Sequence, residues 1–251
     1  MKLFDAHFHI IDPNYPLVEN QGFMPEPYEL PQYLERMEGS GLAGGAVVSG
    51  SFQAFDQGYL KTALKALGEG FVGVTQIPAD TSDEEILALN KDGIRAVRFN
   101  LKRGGSAGVQ DIDRLARRVY ELAGWHSEFY VDSRELADLH PVLSALPAKS
   151  IDHLGLHSDG LPELLKLVEA GTKVKATGLG RISLDPTQVI QEILKVNPTA
   201  LMIGTDLPST RATRPFEFED FQIIADAAGP EHVEKVFWDN AADFYLNKIS
   251  G

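Results

Sequence analysis

The chain has 251 residues, 43% hydrophobic and 24% charged, an ordinary composition for a folded globular protein and a length that one α/β barrel can fill. Lys and Arg number 23 against 36 Asp and Glu, a formal net charge of −13 that disfavours nucleic acid and anionic membranes as partners. Cysteine is absent, which excludes disulfides and thiolate metal sites and leaves any metal to His and carboxylates.

The first residues, MKLFDAHFHI, read as a strand over 2–10 rich in apolar and aromatic side chains. Strict alternation puts Asp5, His7 and His9 on one face of it. A strand carrying Asp and His is not a signal peptide, and no stretch approaches the ~18 apolar residues of a membrane span, so a cytoplasmic protein is expected by default. Residues 12–31 form a long loop holding Tyr15, Phe23 and Tyr28, which favours a packed lid over the site. Pro31 opens a short helix, closed by glycine.

From there strands and helices alternate. Strands are expected at 43–49, 71–77, 94–100, 128–133, 149–154, 173–177 and 200–206. Helices are expected at 56–67, 83–92, 111–123, 134–146, 161–170, 186–196 and 218–228, with a closing amphipathic segment at 231–246. Ser82 can cap the third helix, whose first turn is acidic. Eight strand–helix units without a linker predict a single (β/α)₈ TIM barrel over residues 1–251. An open doubly wound sheet is the other candidate, but no Gly-x-Gly-x-x-Gly follows the first strand.

A barrel carries its site at the C-terminal ends of its strands. His7 and His9 stand there on the first strand, Arg98 and Asn100 on the fourth, and Tyr130 and Asp132 on the fifth. Asp152 and His153 follow on the sixth, Lys175 and Thr177 on the seventh with Arg181 just beyond, and Asp206 on the eighth. Strands one and eight are neighbours in a closed barrel, so Asp206 should lie beside the two histidines. A lone strand-end Asp, His or Arg is commonly a cap or a surface pair; a polar residue at the same end of nearly every strand is not. His126, in GWHSEF, precedes the fifth strand and should sit at the opposite, structural end.

FDAHFHI, KSIDHLG, MIGTDLP and the closing FWDNAADFYL resemble, in order and across the whole chain, the amidohydrolase superfamily, most of all its branch of sugar lactonases and 2-pyrone-4,6-dicarboxylate lactonase. The resemblance implies a (β/α)₈ barrel whose catalytic residues are Asp206, His7, His9 and His153. VRFNLKR and KATGLGRIS resemble segments that bind substrate carboxylates there, which implies Arg98, Arg103 and Arg181 as substrate-binding residues, with Tyr130 beside them. Many superfamily members complete a metal site with a Lys or His on the fourth or fifth strand, and EFYVDS offers neither. His7, His9, His153 and Asp206 still suffice for one divalent ion such as Zn²⁺, which is the alternative, whereas the resemblance to the lactonase branch implies that no metal is required.

The expected activity is hydrolysis of a lactone bearing one or more carboxylates. Asp206 acts as general base on water, the histidines stabilise the oxyanion, and the arginines grip the carboxylates. That answers the charge objection, because an acidic protein that gathers arginine at one mouth can still take a small anionic substrate. A metal-dependent amidohydrolase or decarboxylase, a lactone isomerase and a non-catalytic metabolite-binding barrel are the alternatives.

Overall fold

In the computed structural model, which describes residues 1–247, the strands form one parallel eight-stranded sheet in sequential order. They are β1 Leu3–Phe8, β2 Leu42–Val48, β3 Phe71–Thr75, β4 Ile94–Asn100, β5 His126–Tyr130, β6 Lys149–Ile151, β7 Lys173–Ala176 and β8 Leu201–Ile203. The exit of β8 returns to β1, where the Asp206 N–H donates to His7 O at 2.7 Å and the His9 N–H to Leu207 O at 2.7 Å. The expected TIM barrel is what forms. Helices α1 Leu30–Arg36, α2 Gly58–Leu67, α3 Asp83–Lys91, α4 Ile112–Ala123, α5 Leu136–Leu143, α6 Leu161–Glu169, α7 Pro186–Val196 and α8 Phe218–Ala228 surround it. Among the described residues no helix is long and apolar enough to cross a membrane.

Local chemistry sets the helix ends. Ser82 and Glu85 cap α3 reciprocally, the serine hydroxyl accepting from Glu85 N while the glutamate accepts from Ser82 N at 2.9 Å. Gly124 ends α4 in a left-handed conformation. The closing segment forms a π-helical turn, Lys235–Asp239, and α9 Asn240–Leu246. Ala241 and Tyr245 from it pack with Phe4, Ala6 and Val48 and plug the floor of the barrel.

Two expectations are corrected. Strand five starts two residues before Glu128, so His126 belongs to it, at its N-terminal end as foreseen. Asp5 does not share a face with His7 and His9. The β1–β2 register slips between Asp5 and Phe8, and the extra residue defeats the alternation. Asp5 turns outward to accept from Tyr33 Oη on α1 at 3.0 Å, whereas His7 turns into the lumen beside Lys175.

The lumen is layered. Phe4, Ala6, Ala46, Val72, Val74, Ala96 and Met202 make its apolar floor, and a ring of buried charged side chains lies above them. Over the mouth, residues 12–31 pack as a cover. Tyr15 Oη bonds Thr62 Oγ1 at 2.6 Å, and the Asn20 and Gln21 side-chain amides donate to Arg103 O at 3.1 and 3.2 Å.

Candidate active site

The histidines and Asp206 that alternation and barrel closure place together do converge. His7 Nε2, His9 Nε2 and His153 Nε2 lie 3.8, 3.6 and 4.0 Å from Asp206 Oδ1. That oxygen and His7 Nε2 have no hydrogen-bond partner among the described residues. Asp206 Oδ2 is gripped by both Nε and an Nη of Arg181. Burial raises the Asp206 carboxyl, but the Arg181 guanidinium together with His153, His9 and His7 outweighs it and holds the group far below the usual carboxylate range. Desolvation pushes the His7 imidazole down to about 4, and His153 also falls well below its ordinary value, so both are neutral near pH 7.

Backbone strain supports the cluster. Asp206 and His153 hold φ of 63° and 52°, in the left-handed region that costs non-glycine residues about 1–3 kcal/mol and gathers at functional sites. Beside them, a Cβ on Gly178 would stand 2.7 Å from His153 Nδ1, so only glycine lets the chain leaving β7 pass that ring. Asp5 serves the frame. It accepts from His7 N, Thr205 N, Thr205 Oγ1 and Tyr33 Oη, tying β1 to the exit of β8. Desolvation outweighs those four donors and pushes its carboxyl up to about 6.

Beneath the cluster lies a charged layer. Glu128 accepts from Lys175 Nζ and from Tyr245 Oη, and meets His126 Nε2 at 2.9 Å. Lys175 Nζ is 3.4 Å from Asp152 Oδ1 and 3.4 Å from His7 Nδ1. Asp152 Oδ2 accepts from Arg98 at 2.9 Å, and Arg98 also donates to Ser49 O at 2.7 Å. Burial raises both carboxyls, yet Lys175, joined at Glu128 by His126 and at Asp152 by His7 and Arg98, outweighs it and keeps both below their ordinary values. With neutral imidazoles, Arg98, Lys175 and Arg181 balance Glu128, Asp152 and Asp206.

Above the cluster a small cavity opens to solvent, lined by His9, His153, Asp206, Tyr130 and four arginines: Arg98, Arg103, Arg181 and Arg211. Arg103 and Arg211 form no ion pair with a carboxylate among the described residues, and Arg103 Nε is buried without a partner. Arg211 donates to Asn20 O and lies over the Phe23 ring at 4.3 Å, so the cover over the mouth holds it. Of the residues expected in the site, His9, Arg98, Arg103, Tyr130, His153, Arg181 and Asp206 line this cavity, and His7 lies a layer deeper than its wall. Arg98 differs from the expectation of a free carboxylate grip, because its Nη groups already serve Asp152 and Ser49.

Sequence reasoning missed Arg211, which lies in an irregular segment after β8. It noted Lys175 and Asp152 as strand-end residues without giving them a role, and passed over Glu128. The usable signal was charge at inward positions of parallel strands, where uninterrupted apolar residues are the norm.

The donor set fits a divalent ion. His7 Nε2, His9 Nε2 and Asp206 Oδ1 lie within 4.8 Å of one another. His9 Nδ1 is engaged by Val48 O at 2.7 Å, which leaves Nε2 of a neutral ring as an acceptor.

The Amidohydro_2 amidohydrolase family model matches residues 4–246. A 2-pyrone-4,6-dicarboxylate hydrolase of Comamonas testosteroni is 30% identical over 156 residues, 60% of this chain and 51% of that protein. A D-galactarolactone isomerase of Agrobacterium fabrum is 25% identical over 178 residues, 66% of this chain and 60% of that protein. The matches thus span about half to three fifths of these relatives' length. The fold is shared with a crystal structure of a probable 2-pyrone-4,6-dicarboxylic acid hydrolase from Acinetobacter baumannii with citric acid bound. That likeness has a TM-score of 0.83 at 20% identity and covers 98% of this chain and 100% of the other.

Proposed function

The chain belongs to the Amidohydro_2 amidohydrolase family, and on that footing we propose that it is a hydrolase opening a lactone that bears carboxylate groups. One observation carries the reading: Asp206 keeps one oxygen open toward three imidazoles while an arginine-lined cavity stands over it. The named relatives act on small lactones, which supports the substrate class.

Water held between Asp206 Oδ1 and His9 Nε2 attacks the lactone carbonyl carbon and gives its proton to Oδ1. The carbonyl oxygen becomes an oxyanion and accepts from His7 Nε2–H, with His153 beside it. The ring C–O bond then breaks, and the proton passes from Asp206 to the leaving oxygen. The product is an open-chain hydroxy acid, or its keto form where the released oxygen is enolic.

Arg103 and Arg211, which lack carboxylate partners among the described residues, take the substrate's anionic groups, bidentately where geometry allows. Arg181 is shared. A substrate carboxylate that draws its guanidinium away from Asp206 Oδ2 restores basicity to the group that must accept the proton.

The balanced charges favour a site that works without a metal. A divalent ion on His7, His9 and Asp206, with His153 adjacent, would supply Lewis acidity to the carbonyl. The test is a proton-release screen of neutral, monocarboxylated and dicarboxylated lactones, with and without chelator, in isotopically labelled water. Turnover of carboxylated lactones with one label per product molecule, in the carboxylate newly formed from the ring carbonyl, fits hydrolysis. Turnover without label makes the protein an isomerase, and ligand-induced stabilisation without turnover makes it a binding barrel.

A further inference from the structure

Lys175 is fully buried, lies below the cavity and takes no part in the chemistry above, yet it touches the one histidine that lies deepest. We propose that Lys175 is a positioning residue that holds His7 as the Nε2–H tautomer, and so makes His7 a hydrogen-bond donor to the reacting carbonyl rather than a metal ligand.

Two groups compete for His7 Nδ1. Asp152 Oδ1, at 3.4 Å, can only accept from it, and Lys175 Nζ, also at 3.4 Å, can only donate to it while it is an ammonium. The lysine contact has hydrogen-bond geometry. The aspartate contact, equally long, is the less well aligned of the two, and Asp152 Oδ1 has no hydrogen-bond partner of its own among the described residues. In a neutral ring an accepting Nδ1 puts the proton on Nε2.

The opposite side of the ring agrees. His7 Nε2 faces Asp206 Oδ1 at 3.8 Å, and the same oxygen is faced at 3.6 Å by His9 Nε2. The His9 ring donates through Nδ1 to Val48 O, so when neutral it presents a lone pair there. A second lone pair from His7 would repel the carboxylate, whereas an N–H is attracted to it.

A metal-bound imidazole gives its other N–H to a carboxylate or carbonyl. His9 already has that arrangement. His7 lacks it only because Lys175 occupies Nδ1, while Asp152 stands ready as the carboxylate that would complete it. Removing the ammonium should let Nδ1–H turn to Asp152 and free the Nε2 lone pair toward His9 and Asp206. It also removes a positive charge that opposes a cation. Lys175 is thus the residue that separates metal-free from metal-dependent use of the same histidines.

The inference deepens the hydrolase reading, but its test uses no substrate, so either can fail without the other. Metal-stripped protein with ¹⁵N-labelled histidine is examined by long-range ¹H–¹⁵N correlation, with His7 assigned by a His7→Gln variant. In the wild type, His7 should show a protonated Nε2 and a bare Nδ1. A protonated Nδ1, alone or in an imidazolium, overturns the proposal without recourse to any variant. Lys175→Met should shift His7 to the Nδ1–H form and tighten Zn²⁺ binding by about 10-fold or more, the scale on which such outer partners tune metal affinity. An unchanged tautomer with unchanged Zn²⁺ affinity in that variant also overturns it. If Lys175→Met does not fold, the Glu128→Leu/Lys175→Met double variant removes the uncompensated carboxylate and is read the same way.

Discussion

Asp206→Asn isolates the proton-accepting step, because the amide matches the carboxylate in size and can keep its oxygen toward Arg181. Its NH₂ group then occupies the place of Oδ1, within about 4 Å of the three imidazoles, and has no lone pair for water's proton. Loss of a general base costs about 10²–10⁴ in rate, or about 3–5 kcal/mol of barrier at 1.36 kcal/mol per tenfold. The arginines of the cavity wall are untouched, so KM should stay within about 3-fold, as for an interaction made only in the transition state. The fold should survive, since Arg181 keeps its bond to Thr210 O at 3.0 Å and borders the open cavity. The assay is proton release with a pH indicator on a carboxylated lactone that the wild type turns over, alongside a thermal melt. A folded variant with kcat within about 3-fold of wild type would refute the role given to Asp206.

Arg103→Met and Arg211→Met should each raise KM for a carboxylated lactone by about 10-fold or more with little change in kcat, since a hydrogen bond to a charged group is worth about 1.5–3 kcal/mol. Equal effects on a neutral lactone would remove them from anion binding. Prolonged chelation should leave wild-type turnover within about 2-fold, and inactivation that Zn²⁺ reverses would assign the chemistry to a metal. Glu128→Gln leaves Lys175 with Asp152 as its nearest carboxylate, so stability should fall by about 3 kcal/mol, or about 6–12 °C for a chain of this size. Calorimetry at pH 7 tests it, and a loss below about 2 °C would contradict the buried ion pair. In the wild type, the Glu128 carboxyl lies below its ordinary value when folded. Its stabilisation is therefore present above the usual carboxylate pKa and lost as pH falls through and below it, a slope that Glu128→Gln should flatten.

The barrel was legible because each unit obeys local rules. Ser82 with Glu85, Pro186 at the start of α7, and apolar runs such as Phe71–Thr75 each point to the same alternation. The mouth was legible because barrel closure joins sequence-distant strand ends, which brings Asp206 to His7. The sequence could not show where alternation breaks. The slip in β1 follows from pairing against β2, a partner some 40 residues away, and it sends Asp5 outward. Nor could it show which arginines are already engaged. Arg98 and Arg103 look alike in VRFNLKR, and only their partners distinguish a framework guanidinium from a free one.

That distinction bears on why so acidic a chain would bury so many cations. A guanidinium or ammonium taken out of water needs a paired carboxylate, and Glu128, Asp152 and Asp206 meet that need for Lys175, Arg98 and Arg181. The three pairs leave the layer beneath the cavity near neutrality, so the field an entering anion meets is set by Arg103 and Arg211 at the rim. Those two are fastened to Asn20, one through its own carbonyl and the other through its guanidinium. An anion held by these two guanidinium groups would therefore lie directly against the contacts that fasten residues 12–31 over the mouth.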